Sequence, residues 1–151
     1  MASFEESLND LLVDTFNTIL KYEEQSLKAI ADIPITIGEA HLLECIARLN
    51  NEATVSQIAA QMQLAMPTIT IAVKKLESKG YVVKVPWEDD GRRSYVRLTA
   101  SGEVINRAHT IFHHRMVRNI ADQFNEPEKE ILLRAVTKLS DFFAHQIRNP
   151  K

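Results

Sequence analysis

A chain of 151 residues, 45% of them hydrophobic and 25% charged, has the size and balance of one globular domain with its own core. No apolar run is long enough to span a bilayer, and the start, with Glu5 and Glu6 directly after Phe4, lacks the basic and apolar regions of a signal peptide; the expected location is the cytoplasm, with no membrane partner. Four glycines and five prolines leave little material for the turns of an all-β domain, and a single cysteine excludes an intrachain disulfide framework.

From residue 4 to about 30, Leu8, Leu11, Leu12, Phe16, Ile19, Leu20 and Leu27 recur at helical spacing on more than one stripe, so this first helix must bury two sides. Pro34 interrupts it. Thr36 with Glu39 three residues later is a capping-box signal for a helix through Leu49, closed by Asn50 and Asn51. Within it Cys45 sits among Leu42, Leu43, Ile46 and Leu49 and reads as packing rather than as a reactive thiol. Thr54 with Gln57 repeats the capping signal for a short helix over 55–62, with Ile58 and Ala59 inward. Gln63, Leu64 and Ala65 form a tight turn, Pro67 suits the first turn of the next helix, and Gly80 suits its left-handed end.

Residues 81–85 and 94–98 are strand-like, with Glu88, Asp89, Asp90 and Gly91 as the turn between them, which predicts a β-hairpin with Trp87 packed at its base. Thr99 caps a long helix to about residue 124, on which Val104, Ala108, Ile111, Phe112 and Met116 trace an apolar face. Asn125 with Glu128 caps the last helix, with Pro127 in its first turn and Ile131, Ala135, Leu139, Phe142 and Phe143 buried.

The net charge of −2 is unevenly spread: residues 1–65 carry −7, 66–97 carry +3 and 98–151 carry +2. The positive stretch holds Lys74, Lys75, Lys79, Lys84, Arg92, Arg93 and Arg97, where phosphate could be met. Short helix, tight turn, helix and hairpin is the order of a winged helix-turn-helix, whose second helix lies in the major groove. If Ile69, Val73 and Leu76 pack inward, Thr68, Thr70, Ile71, Lys74, Lys75 and Ser78 face outward, a set suited to base edges and phosphates. An ordinary amphipathic surface helix would show the same pattern, and the hairpin decides between the two. Its arginines suit a narrow minor groove, with Asp90 orienting Arg92 through a charge-assisted pair while Arg92 or Arg93 enters.

Here the chain resembles a known family. The run Asp90-Gly91-Arg92-Arg93-Ser94-Tyr95-Val96-Arg97-Leu98-Thr99 is similar to the wing signature of MarR-type regulators, and Leu76-Glu77-Ser78-Lys79-Gly80-Tyr81-Val82 resembles the end of that family's recognition helix. The apolar Ile71 departs from the polar or basic residue that many members carry there. The resemblance covers essentially the whole chain and implies a mainly α fold with a small β-hairpin wing: a six-helix winged helix-turn-helix dimer. Residues 1–151 would be one such domain, with dimerisation helices over about 4–30 and 100–148 and the winged helix-turn-helix over about 36–99. It implies a sequence-specific regulator of transcription, a repressor, bound to double-stranded DNA as a homodimer on a pseudo-palindromic operator. The surplus of apolar residues in the first and last helices agrees independently with self-association.

Two effectors are open. The stretches Tyr22-Glu23-Glu24-Gln25-Ser26-Leu27, Glu39-Ala40-His41 and His109-Thr110-Ile111-Phe112-His113 resemble the branch that represses fatty-acid synthesis genes, which implies an acyl chain or acyl-carrier protein held by residues such as Phe16, Ile19, Leu20 and Phe112. The alternative is zinc. His109 and His113 lie four apart on one predicted helix and share a face; Glu23 and His41 resemble ligand positions in the family's zinc-sensing branch. No cofactor is otherwise required, and His114 and His145 are expected on the surface. No Gly-rich phosphate loop, nucleophile elbow or His-Glu-x-x-His motif is present, so no enzyme is expected. A winged helix used only as a protein-interaction module is the remaining alternative, and Arg92 and Arg93 argue against it.

Overall fold

Six helices and one antiparallel hairpin follow in the order α1 (Phe4–Ala31), α2 (Ile37–Arg48), α3 (Val55–Met62), α4 (Met66–Ser78), β1 (Val82–Trp87), β2 (Asp90–Leu98), α5 (Ala100–Ala121) and α6 (Glu126–Arg148). This is a computed structural model, and it describes residues 1–31, 35–88 and 90–150. Pro34 and Asp89, which carried two of the sequence expectations, lie outside the described residues, as does the side chain of Asp90. The chain forms two units, Met1–Phe112 and His113–Lys151, and the division falls inside α5.

Capping chemistry sets the helix starts. Thr36, Thr54 and Asn125 each accept a hydrogen bond from the backbone N–H three residues on, and the Glu39, Gln57 and Glu128 side chains accept in return from the cap residue's N–H. Each reciprocal pair satisfies two donors that a helix start would otherwise leave unmade. Gly80, at φ +78°, ends α4 in the left-handed conformation.

In the first unit the core lies where α2, α3 and α4 meet the base of the hairpin. Leu43, Ile46, Ile58, Val73, Leu76 and Val96 are essentially excluded from solvent. The hairpin is tied into this core by a third segment that the sequence did not announce. Ala53 bridges Val96, exchanging N–H to O bonds of 2.7 and 3.3 Å, and Asn51 Oδ1 accepts from Leu98 N–H at 2.6 Å. Asn50 and Asn51 stand at φ +59° and +58°, a region that asparagine tolerates better than most residues.

At its start α5 lies so close to β1 that a Cβ on Gly102 would overlap the Tyr81 carbonyl oxygen. Thr99 supports the same junction: its hydroxyl donates to Gly80 O at 2.6 Å and accepts from Gly102 N–H at 3.1 Å.

Four expectations are corrected. Pairing runs from Val82↔Leu98 out to Trp87↔Asp90, so both strands are longer than expected and Asp90 and Gly91 belong to β2 rather than to a turn. Pro86 permits this because β1 is an edge strand with no further ladder to feed. Trp87 is 45% exposed and so is not a packed residue. On α5 the buried face is Ile105, His109 and Phe112, while Val104 and Ile111 are exposed. Apolar periodicity passed over His109, which lies on the inward stripe. In the second unit α6 has no buried residue: Ile131, Phe142 and Phe143 are exposed, and the two phenylalanine rings pack edge to face at 5.3 Å.

Candidate nucleic-acid interface and metal-ligand cluster

The inward placement of Ile69, Val73 and Leu76 fixes what α4 shows to solvent. Thr68, Ile71, Lys74, Lys75 and Ser78 are exposed and Thr70 is half-buried, so the six proposed DNA-contacting residues of this helix lie off its core face. Two hydroxyl protons are already committed. Thr70 donates to Met66 O at 2.9 Å and Ser78 to Lys75 O at 2.7 Å. Arg92 and Arg93 are exposed on β2 near the hairpin tip. Asp90 opens that strand, and its proposed orienting carboxylate is outside the described side chains.

Not all of the basic stretch is available to DNA. Lys79 donates to both oxygens of Glu39 at 2.8 Å, tying the end of α4 to the start of α2. Burial pushes the Glu39 carboxyl up, but the Lys79 ammonium and the Thr36 N–H outweigh it and hold the group below the usual carboxylate range. Arg97 donates to Glu52 at 3.1 Å and to the Tyr95 hydroxyl at 3.2 Å, and lies over the Tyr95 ring at 5.3 Å. These two cations brace the scaffold. Sequence reasoning missed both roles, although Glu39 was already visible as the capping partner of Thr36.

The first unit also buries a polar cluster. Glu23 is 2% exposed and His109 0%, from α1 and α5, and His41 joins them from α2. Glu23 Oε1 lies 3.4 Å from His109 Nε2 and 3.5 Å from His41 Nε2. Ligand atoms of the three fall within 4.8 Å of one another, and His113 stands half-buried one turn beyond His109 on the same unbroken helix. The spacing bears on what the cluster can hold. Ligands about 2.0–2.1 Å from a tetrahedral zinc ion lie roughly 3.3 Å apart, close to the 3.4 and 3.5 Å separations found here. Within the first unit, two imidazoles and one carboxylate are ordinary zinc donors. On both counts the residues fit the ion.

On its far side His109 meets a residue that the sequence reading overlooked: Glu44 Oε2 lies 3.6 Å from His109 Nδ1. Glu44 follows His41 by three positions on α2, a helical spacing that could have flagged it.

The residues suggested for an acyl pocket are not gathered into one enclosure. Phe16, Ile19 and Leu20 are exposed on α1, and only Phe112 is buried, with its ring 5.1 Å from that of Tyr22. Cys45 is buried and burial pushes its thiol up, in keeping with a packing role.

Residues 35–94 match the MarR family. The crystal structure of Streptococcus pneumoniae FabT in complex with DNA superposes at a TM-score of 0.88 with 31% identity, over 93% of this chain and 98% of that one. The chain belongs to the MarR family. As a MarR-family fold it also resembles the Staphylococcus aureus MepR–DNA complex, at a TM-score of 0.75 with 23% identity over 90% of this chain and 97% of that one. An uncharacterized HTH-type transcriptional regulator of Bacillus subtilis, YhjH, is 27% identical over 99 residues, 65% of this chain. The MarR chain described here spans 56% of that relative, about half the length of the curated protein. No helix among the described residues is long and apolar enough to cross a membrane.

Proposed function

We propose that this chain is a cytoplasmic, homodimeric transcriptional repressor that reads a pseudo-palindromic operator. Residues 1–151 would act as one domain, with helices over about 4–30 and 100–148 forming the dimer and residues 36–99 meeting DNA. One observation carries the reading: α4 turns a hydroxyl and ammonium face outward while the hairpin, clamped at its base to Ala53 and Asn51, presents Arg92 and Arg93. Those are the parts needed for major-groove readout and for minor-groove or phosphate contact. A gel shift on promoter DNA at two salt concentrations tests it, because binding through phosphates weakens as salt rises. Binding insensitive to salt, or none to any bound-fragment selection, counts against it.

The effector best supported is zinc, held by Glu23, His41, His109 and His113. The ion would supply a charge that gathers carboxylate and imidazole donors from α1, α2 and α5, and α2 is the helix whose start is tied to α4 through Glu39 and Lys79. A second reading, an acyl chain or acyl-carrier protein, draws on the likeness to FabT and on the exposed apolar side chains of Phe16, Ile19 and Leu20. Metal analysis of the purified protein with and without chelator, paired with a gel shift under each condition, separates them. Stoichiometric zinc whose removal changes operator affinity supports the first. A metal-free protein whose operator affinity moves only with long-chain acyl ligands supports the second.

A further inference from the structure

We infer that Glu44 is a positioning residue for His109, a carboxylate outside the ligand set that faces Nδ1 and favours the tautomer protonated there, which leaves Nε2 bare for the metal. The inference rests on the zinc reading above. A neutral imidazole carries one proton on one of two nitrogens, and only the bare nitrogen can coordinate. His109 is wholly buried and lies between two carboxylates: Glu23 Oε1 is 3.4 Å from Nε2 and Glu44 Oε2 is 3.6 Å from Nδ1. If Glu23 alone faced the ring, it would draw the proton to Nε2, the nitrogen the metal needs. At 3.6 Å Glu44 Oε2 is a charged neighbour of Nδ1 rather than a made hydrogen bond, and its negative charge on that edge favours the tautomer with the proton on Nδ1, the one that can coordinate.

Glu44 is built to stay there. Its Oε1 accepts from Arg48 Nη2 at 2.6 Å, one turn further along α2, which leaves Oε2 for the imidazole. His41 stands one turn before it on the same helix, so α2 delivers both a ligand and the residue that orients a second ligand from α5. A carboxylate behind a ligating histidine fixes its tautomer and raises its basicity, and losing one typically lowers metal affinity about 10- to 100-fold. Zinc would be held by the Nε2 lone pair with the single imidazole proton on Nδ1, so the ring carries one proton in either tautomer.

The test uses full-length protein and zinc alone. Zinc affinity is measured by competition against a chromophoric chelator for wild type, Glu44→Ala and Glu44→Gln, and 15N imidazole spectra report the His109 tautomer. Glu44→Ala should bind zinc about 10- to 100-fold more weakly and lose the Nδ1-protonated signature that zinc-loaded wild type shows, while urea denaturation and operator affinity in chelator stay unchanged. Glu44→Gln keeps an acceptor oxygen and should lose less, which preserves the test if the alanine variant folds poorly. Arg48→Ala removes the helix-surface pair but keeps the carboxylate, and should cost less than Glu44→Ala. If wild type binds zinc and both Glu44 variants match it in affinity and tautomer, this inference is wrong while the zinc reading stands. If wild type binds no zinc, the zinc reading itself fails.

Discussion

Lys79 Nζ, just past the last turn of the recognition helix, donates to both carboxylate oxygens of Glu39 at 2.8 Å, and Glu39 at the same time caps the helix that carries His41 and Glu44. Lys79→Met should therefore lower stability by about 1 kcal/mol, discounted from a fully buried charged pair because the ammonium is partly solvated. The effect should depend on pH. Glu39 is held below the usual carboxylate range, so its contribution is complete above about pH 4.3 and is lost as pH falls through the lower folded value. Urea midpoints of wild type and Lys79→Met should differ at pH 7 and converge once the pH falls below the lowered folded value of Glu39. A gap that persists in acid would show that the ion pair is not its source.

Arg92→Ala, and less strongly Arg93→Ala, should weaken operator binding and leave folding intact, since both are exposed on the hairpin. Each phosphate contact removed should flatten the logarithmic salt dependence by about 0.9. Arg97→Ala should behave differently, because its guanidinium is bound to Glu52 and Tyr95: stability falls and the salt slope changes little. Affinity titrations across a salt series, with circular dichroism as the folding control, distinguish the two behaviours. An Arg92→Ala protein with unaltered dichroism and unaltered affinity would remove the wing from the interface.

Replacing Phe142 and Phe143 together by serine should convert a dimer to a monomer in sedimentation. Both rings are exposed, at 56% and 46%, in company with Ile131, Leu133, Val136 and Ile147 on the same helix. Association that removes such surface from water is driven by roughly 25 cal/mol per Å² of apolar area. A wild-type monomer that binds a half-site as tightly as a full site would defeat the dimer proposal.

Gly102→Ala should cost about 3 kcal/mol, the upper end for overpacking, because the new methyl meets backbone rather than a side chain that can swing aside. Gly38 is the control. It lies in the first turn of α2, where an added Cβ meets nothing nearer than Thr36 Oγ1 at 4.0 Å, and Gly38→Ala should raise stability by up to about 1 kcal/mol. Thermal melts that rank the two variants in the opposite order would contradict the described junction between Tyr81 and α5.

What the sequence made legible was local chemistry. Thr36–Glu39, Thr54–Gln57 and Asn125–Glu128 each placed a helix start because a cap involves only residues three apart. The Ile69, Val73 and Leu76 stripe gave the outward face of α4 for the same reason. The misses involve long-range partners. Nothing near Asn51 announces that its side chain will hold Leu98 N–H across 47 positions, and nothing near Lys79 points to Glu39, 40 positions away. Helical spacing makes His109 a ligand candidate, but an apolar count does not place it on the inward face of α5, because it treats a histidine as a surface residue. The burial expected on α6 fails within the chain, because apolar periodicity shows that a helix has an apolar face and not what covers it.

The hydroxyl bonds on α4 also bear on which bases this helix can read. Thr70 and Ser78 have turned their protons back onto Met66 O and Lys75 O, so in these rotamers each side chain offers DNA only lone pairs. Lone pairs discriminate: they suit the N6 amino group of adenine and the N4 amino group of cytosine in the major groove and find no donor on guanine or thymine there. Lys74 and Lys75 have the opposite character, donors only, matched to the O6 and N7 acceptors of guanine or to phosphate. The exposed Ile71 adds a surface that favours a thymine methyl. An operator half-site for this protein should therefore place adenine or cytosine opposite the hydroxyls, and exchanging those positions for guanine should leave two acceptors facing two acceptors.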